Sequence, residues 1–177
     1  MEKKSLFTTR MLVEGAMMIA IATILSFIKV AEMPYGGSVT AGSMVPILVF
    51  AYRWGGVRGM FVGMVYGLIQ FMIDPYSAHP ISVLLDYPVA FGALGTLGFF
   101  CNRESGLPKI ATGIIVAIGL RFVSHFLSGI IFFYMYAPEG MSPVLYSAGY
   151  NAFYLVPEMI ISFGVFLLLR KPLMQVK

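Results

Sequence analysis

Four side chains that hydrocarbon does not tolerate cheaply lie in the most apolar part of the chain: Arg121, His125, Asn151 and Glu158. They belong to the stretch RFVSHFLSGIIFFYMYAPEGMSPVLYSAGYNAFYLVPE, where two long apolar segments meet across a short polar loop. An ionisable residue inside a membrane span is a functional-site hypothesis by default. On a helix, Arg121, His125, Ser128, Gly129 and Phe132 stand at i, i+4, i+7, i+8 and i+11 and share a face. That face is polar at its deep end, open at Gly129 and aromatic at its outer end. It has the make-up of a cavity wall for a small ligand with a ring and a charge. Asp86, in an earlier apolar segment, adds a carboxylate with no neighbouring basic residue in sequence to neutralise it.

This chemistry points to binding rather than catalysis. Ser124 and Ser128 sit beside His125 on one helix and cannot present a hydroxyl to a base in triad geometry. There is no HExxH, no Cys and His cluster with zinc spacing, and no P-loop. The expectation is a protein that is not an enzyme, holds no metal or cofactor, and binds no ATP itself.

The elements that position these groups follow from composition. The chain has 177 residues, 59% hydrophobic and 11% charged, with a mean hydropathy of +0.86. Soluble domains average about 45–50% apolar and about 25% charged, so this reads as an all-α integral membrane protein. Spanning helices need about 20 mostly apolar residues. Six candidates are placed at about 9–28, 38–52, 56–73, 81–100, 109–135 and 147–169, with residues 1–177 read as a single membrane domain. The first has a basic flank like a signal peptide but is too long for one, and further spans follow, so it is read as retained. The net charge of +4 is spread singly among loops, which argues against a nucleic-acid partner. Cys101 is the only cysteine, excluding an intrachain disulfide, and reads as a small buried apolar residue.

Ten of the twelve basic residues (Lys3, Lys4, Arg10, Arg53, Arg58, Arg103, Lys109, Arg170, Lys171, Lys177) fall on one side of this plan; Lys29 faces them and Arg121 is intramembrane. The positive-inside rule then puts both termini in the cytoplasm of a multi-pass cell-membrane protein. The outer loops carry Glu32, Asp74 and Glu139, a mildly acidic surface suited to a cationic ligand. Counting rise per residue brings Asp86, His125 and Asn151 to the outer half of the membrane, with Tyr76 and Tyr146 just above. Each has a plainer use. The tyrosines, with Tyr35 and Tyr136, suit an interfacial belt. Asn151 suits interhelical hydrogen bonding, and His125 suits a satisfied core position. Together they describe a pocket open to the outside.

The runs SHFLSGIIFF, APEG, YSAGYNAFYLVPE and LLDYPVAFGALG, with the AxxxA of the first helix, resemble the thiamine-specific substrate-binding component of energy-coupling factor (ECF) transporters. The likeness runs over nearly the whole chain. It implies six transmembrane helices with a thiamine site near the outer face. It also implies a ligand set of Asp86 and Tyr87 on the fourth helix, His125, Gly129 and Phe133 on the fifth, and Tyr146 and Asn151 on the sixth. Tyr76 matches a pocket tyrosine, and Tyr35 is the nearest aromatic in the first outer loop, a lid in that family. Some members carry glutamate for Asp86 and tryptophan for Phe133, differences that bear on affinity more than on ligand class. The implied partners are thiamine, a transmembrane coupling subunit docking near Ala16 and Ala20, and two cytoplasmic ATPases. The rival reading from another class is a stand-alone secondary transporter for a small cationic solute. Two pairings complete the expectations: Arg121 with Glu158 as the pocket floor, and Arg10 with Glu14 at the cytoplasmic end.

Overall fold

The computed structural model describes residues 7–175, with backbone alone at 171 and 173–175; Lys3, Lys4 and Lys177 of the charge count lie outside. Helix α1 (Thr9–Ser26) starts at Thr8, whose Oγ1 accepts from the Met11 N–H at 3.3 Å and so satisfies one orphan donor of the first turn. It stops two residues short of the expected end because the chain turns into a hairpin. Strand β1 (Lys29–Glu32) pairs antiparallel with β2 (Ser38–Thr40) in the register Lys29↔Thr40, Ala31↔Val39, Glu32↔Ser38, with a bulge after Lys29.

The second helix therefore departs from the sequence reading. Residues 38–40 are strand, and α2 runs Val45–Trp54. Gly42, at φ +85°, breaks the chain between them, and Pro46 in the first turn fixes the helical start. With ten residues α2 is about 15 Å long and buried from Val45 to Tyr52. It is the centre of the molecule rather than a full span. Around it stand α3 (Gly56–Ile73), α4 (Pro80–Phe100), α5 (Leu107–Phe132) and α6 (Pro143–Gln175). With α1, these make five helices long and apolar enough to cross a membrane among the described residues. Helix α5 ends at 132 rather than 135 because Phe133 leaves helical geometry (φ −111°, ψ 14°) into a 3-10 turn. Helix α6 begins at 143, with proline well suited to its first turn.

Two features of α3 and α4 position the site. A Cβ on Gly59, Gly63 or Gly67 would come within 2.6 Å of Ala51 Cβ, 2.3 Å of the Phe91 carbonyl or 2.5 Å of the Tyr87 carbonyl; one on Gly95 would lie 2.0 Å from Met60 N. Small residues at helical spacing thus bring the two backbones into contact, the packing that substitutes for hydrophobic drive in lipid. Helix α4 is irregular where it meets the cavity. Pro88 removes an N–H, and Leu85–Val89 widen into a π segment, which carries Asp86 and Tyr87. Its start is fastened by His79, whose Nδ1 accepts from the Ile81 N–H at 3.1 Å.

Cys101 is buried, and burial pushes its thiol up to about 11, as a small inert core residue requires. Glu14 pairs with Arg53 rather than standing as a one-turn surface pair with Arg10: Arg53 Nε donates to Oε1 at 2.5 Å and Nη2 to Oε2 at 3.3 Å. The two-pronged guanidinium on α2 answers the carboxylate across helices in a way that a neighbour on the same turn does not.

Candidate functional site

A cavity of about 370 Å³ opens between the hairpin, α3, α4, α5 and α6. All nine residues expected at the ligand site line it: Tyr35, Tyr76, Asp86, Tyr87, His125, Gly129, Phe133, Tyr146 and Asn151.

Its charged centre is Asp86. Oδ1 lies 2.9 Å from His125 Nδ1, and Oδ2 accepts from Ser128 Oγ at 2.6 Å. The carboxylate that sequence left unpartnered is thus held by two groups one turn apart on α5. Gly129 sits between them and the sixth helix. A Cβ there would lie 2.1 Å from Ser147 Oγ, so glycine is what lets α5 and α6 close behind the cavity. The Asn151 amide donates to the Ser147 carbonyl at 2.9 Å, and its oxygen accepts from Tyr154 Oη at 2.9 Å.

The walls are aromatic. Phe133 stacks on Tyr76 at 5.4 Å and 16°, and Tyr35 lies 4.5 Å from Tyr136 at the mouth. Tyr146, Tyr150 and Tyr154 form a ladder at 5.9 and 6.0 Å down α6, ending 6.2 Å from the His125 ring. Phe132 is not part of this wall: it stacks on His79 at 5.1 Å, outside the cavity. The helix ends there, and the cap residue Phe133 swings in instead. The Tyr87 hydroxyl donates to the Asp74 carbonyl at 2.8 Å and accepts from the Tyr76 N–H at 2.9 Å. Its polar end therefore braces the 74–76 loop while its ring lines the cavity.

The deep end differs from expectation. Arg121 and Glu158 both reach it, yet no ion pair joins them. Glu158 accepts from Thr40 Oγ1 at 2.6 Å and Ser43 Oγ at 3.2 Å. Arg121 places Cζ 4.1 Å over the Phe91 ring and donates through Nε to His125 Nε2 at 3.4 Å. The charges are answered separately: Glu158 by hydroxyls from the end of β2 and from the turn before α2, and Arg121 by the Phe91 ring and His125. The buried Arg121 Nη1 and Tyr76 Oη make no hydrogen bond within the protein. Both are on residues that line the cavity. Burial pushes the Tyr76 hydroxyl well above the usual phenol range, with Tyr136 beside it acting in the same direction.

Over the mouth lies the hairpin turn. Tyr35 is the only non-glycine with positive φ among the described residues (67°), a conformation seen mostly where the surroundings enforce it. Tyr150 enforces it here: its hydroxyl donates to the Pro34 carbonyl and accepts from the Gly37 N–H at 3.1 Å. Lys29 bridges Glu32 at 2.6 Å and Asp74 at 3.8 Å, and these carboxylates raise its pKa. The acidic character expected of the outer loops is therefore partly cancelled. Residues missed in sequence include Thr40, Ser43, Gln70, Tyr150 and Tyr154. The last two were legible, since Tyr146, Tyr150, Tyr154 and Glu158 recur every four positions on one stripe.

With this geometry in view, known proteins supply the context. The family model described as thiamine transporter protein matches residues 12–177. The chain belongs to the thiamine transporter protein family. Within it, the chain is similar to thiamine transporter ThiT of Bacillus subtilis (strain 168), 39% identical over 85% of this chain and 84% of that one. It is also similar to thiamine transporter ThiT of Lacticaseibacillus paracasei (strain ATCC 334), 28% identical over 77% and 74%. The fold matches a solved ThiT of Listeria monocytogenes with a TM-score of 0.81, at 24% identity over 92% of this chain and 93% of that chain. It also matches an S component of a bacterial ECF transporter with a TM-score of 0.61, at 24% identity over 93% and 95%.

Proposed function

We propose that this family member is the thiamine-binding subunit of an ATP-driven ECF vitamin importer, a multi-pass cell-membrane protein taking thiamine from the outer face. The observation that carries this reading is the half-buried Asp86 carboxylate, held by His125 and Ser128 and set within aromatic rings. A carboxylate lining a cavity beside π faces suits a permanently charged thiazolium, which both attract. The aminopyrimidine offers a donor and ring acceptors. Asn151, the free Tyr76 hydroxyl and Tyr146 are the groups assigned to it, with Phe133 and Tyr35 against the rings and Tyr87, His125 and Gly129 shaping the site.

In this reading residues 1–177 form one membrane domain of six helices, α2 being the short sixth, with both termini cytoplasmic. The protein is not an enzyme and carries no cofactor. Energy comes from two cytoplasmic ATPases through a transmembrane coupling subunit. Ala16 and Ala20, both exposed on α1, are the proposed docking face.

Mass spectrometry of ligand released from the purified protein tests the reading: thiamine is expected, one per chain, with calorimetry giving tight binding. Another molecule, or thiamine uptake by this chain alone that collapses with the ion gradient, overturns it.

A further inference from the structure

Arg121 has no place in the ligand set above, yet it is 7% exposed and sits one helical turn from His125. A guanidinium only donates hydrogen bonds. Its Nε faces His125 Nε2 at 3.4 Å, so that ring nitrogen must present a lone pair. The ring's one proton then sits on Nδ1 and is donated to Asp86 Oδ1 at 2.9 Å. Both donors to Asp86, this N–H and the Ser128 hydroxyl, are neutral dipoles, so the carboxylate keeps its charge. A second proton on the ring would set a donor against a donor and a cation against a cation in a buried site.

Resting on the thiamine-binding reading, we infer that Arg121 is a positioning residue that locks His125 in the neutral Nδ1–H tautomer and thereby reserves the Asp86 charge for a cationic ligand. The surroundings agree. The charged and titratable groups facing the ring are Asp86 on α4, Arg121 on α5 and Tyr154 on α6; Glu158 on α6 and Tyr66 on α3 lie near Arg121 instead. At the mouth, Lys29 and Asp74 are paired with each other. Glu158 is held by Thr40 and Ser43 rather than by Arg121. Arg121 is anchored instead over Phe91 at 4.1 Å, which leaves its Nε for the histidine. Without it, Nε2 would face no donor and could take a second proton, and the resulting imidazolium would compete with the ligand for Asp86.

The chain has two histidines, and the other supplies a control. His79 Nδ1 accepts from Ile81 N–H, so a neutral His79 carries its proton on Nε2, the opposite tautomer. Nitrogen-15 histidine spectra of the full chain in detergent are expected to show one ring of each kind at neutral pH, with the Nδ1–H ring assigned by its loss in His125→Gln. Thiamine affinity of the wild type is expected to stay flat from about pH 8 to about pH 5.5. Arg121→Met should convert this to an affinity that falls by about fivefold or more across the same range as the ring takes its second proton. Arg121→Lys, a donor-only cation, should restore the flat profile whatever its absolute affinity. A wild-type His125 with its proton on Nε2, or an imidazolium at neutral pH, overturns the inference even if Arg121→Met fails to fold. So does a flat profile in Arg121→Met, or an equal slope in the methionine and lysine variants. Should the wild type bind no thiamine, the ligand reading falls, while the spectrum still decides the tautomer.

Discussion

Thr40 and Glu158 stand 118 positions apart in the chain and 2.6 Å apart in space, joined by a buried hydrogen bond from hydroxyl to carboxylate. This bond ties the inner end of the hairpin to α6, and Ser43 doubles it at 3.2 Å. Glu158→Ala should leave the Thr40 and Ser43 pair, themselves 2.8 Å apart, with at least one hydroxyl proton unaccepted, and lower stability by about 1–3 kcal/mol. Glu158→Gln, which keeps an acceptor, should lose less. Thermal unfolding in detergent checks the order; equal losses would mean that the carboxylate acts by charge alone.

Asp86→Asn should weaken thiamine binding by about 3–5 kcal/mol, the cost of removing one partner of a buried charge pair, while the fold persists. Calorimetry is the suitable measurement. The single tryptophan, Trp54, packs on Phe50 and is not among the cavity residues, so its fluorescence is a poor reporter of occupancy. Unchanged affinity would remove Asp86 from the ligand.

Tyr150→Phe should speed ligand release. The hydroxyl is the outer clasp of the hairpin, meeting Pro34 and Gly37 together. Losing it removes two hydrogen bonds worth about 1 kcal/mol each, so a rise of up to about thirtyfold in off-rate is expected from radiolabelled thiamine chase, with association little changed. An unaltered off-rate would show that the hairpin is held by packing.

Gly129→Ala should lower both affinity and melting temperature, because the new methyl meets Ser147 Oγ at 2.1 Å. Ser147→Ala in the same chain removes that oxygen and should recover part of the loss. Additive losses in the double mutant would place the damage elsewhere.

Ala16→Trp should leave thiamine binding intact and reduce uptake in cells that supply the coupling and ATPase subunits. The residue is exposed in the isolated chain, so a bulky ring there blocks approach of a partner helix rather than folding. Normal uptake with normal complex assembly would assign the alanine face to lipid.

Much of the site was legible because intramembrane polar groups are rare and helical spacing is rigid. Asp86, His125 and Asn151 could be gathered by depth, and Gly129 by its place on the His125 face. Their partners could not. The hydroxyls on Glu158 come from residues 38–43, a strand and turn where the apolar pattern predicts helix. Its Val39 and Thr40 are β-branched and glycines lie on either side, a pattern for extended chain. The Arg121–Glu158 pair failed for the same reason. Opposite charges at equal depth pair only if no better partner reaches either one, and here the Thr40 and Ser43 hydroxyls reach Glu158. The Phe132 and Phe133 exchange was a matter of where α5 stops, which spacing does not reveal.

The glycine seam between α3 and α4 has a consequence for how this protein can vary. Around the cavity, substitutions change what is bound while the chain still folds. Along Gly59, Gly63, Gly67 and Gly95 the opposing surface is largely main chain, and no neighbouring side chain can shrink to make room for main chain. A saturation library selected first for membrane expression and then for thiamine retention should therefore divide cleanly. The seam should be depleted at the first step and the aromatic wall only at the second. Specificity can drift on one side of the molecule because the other side is not free to.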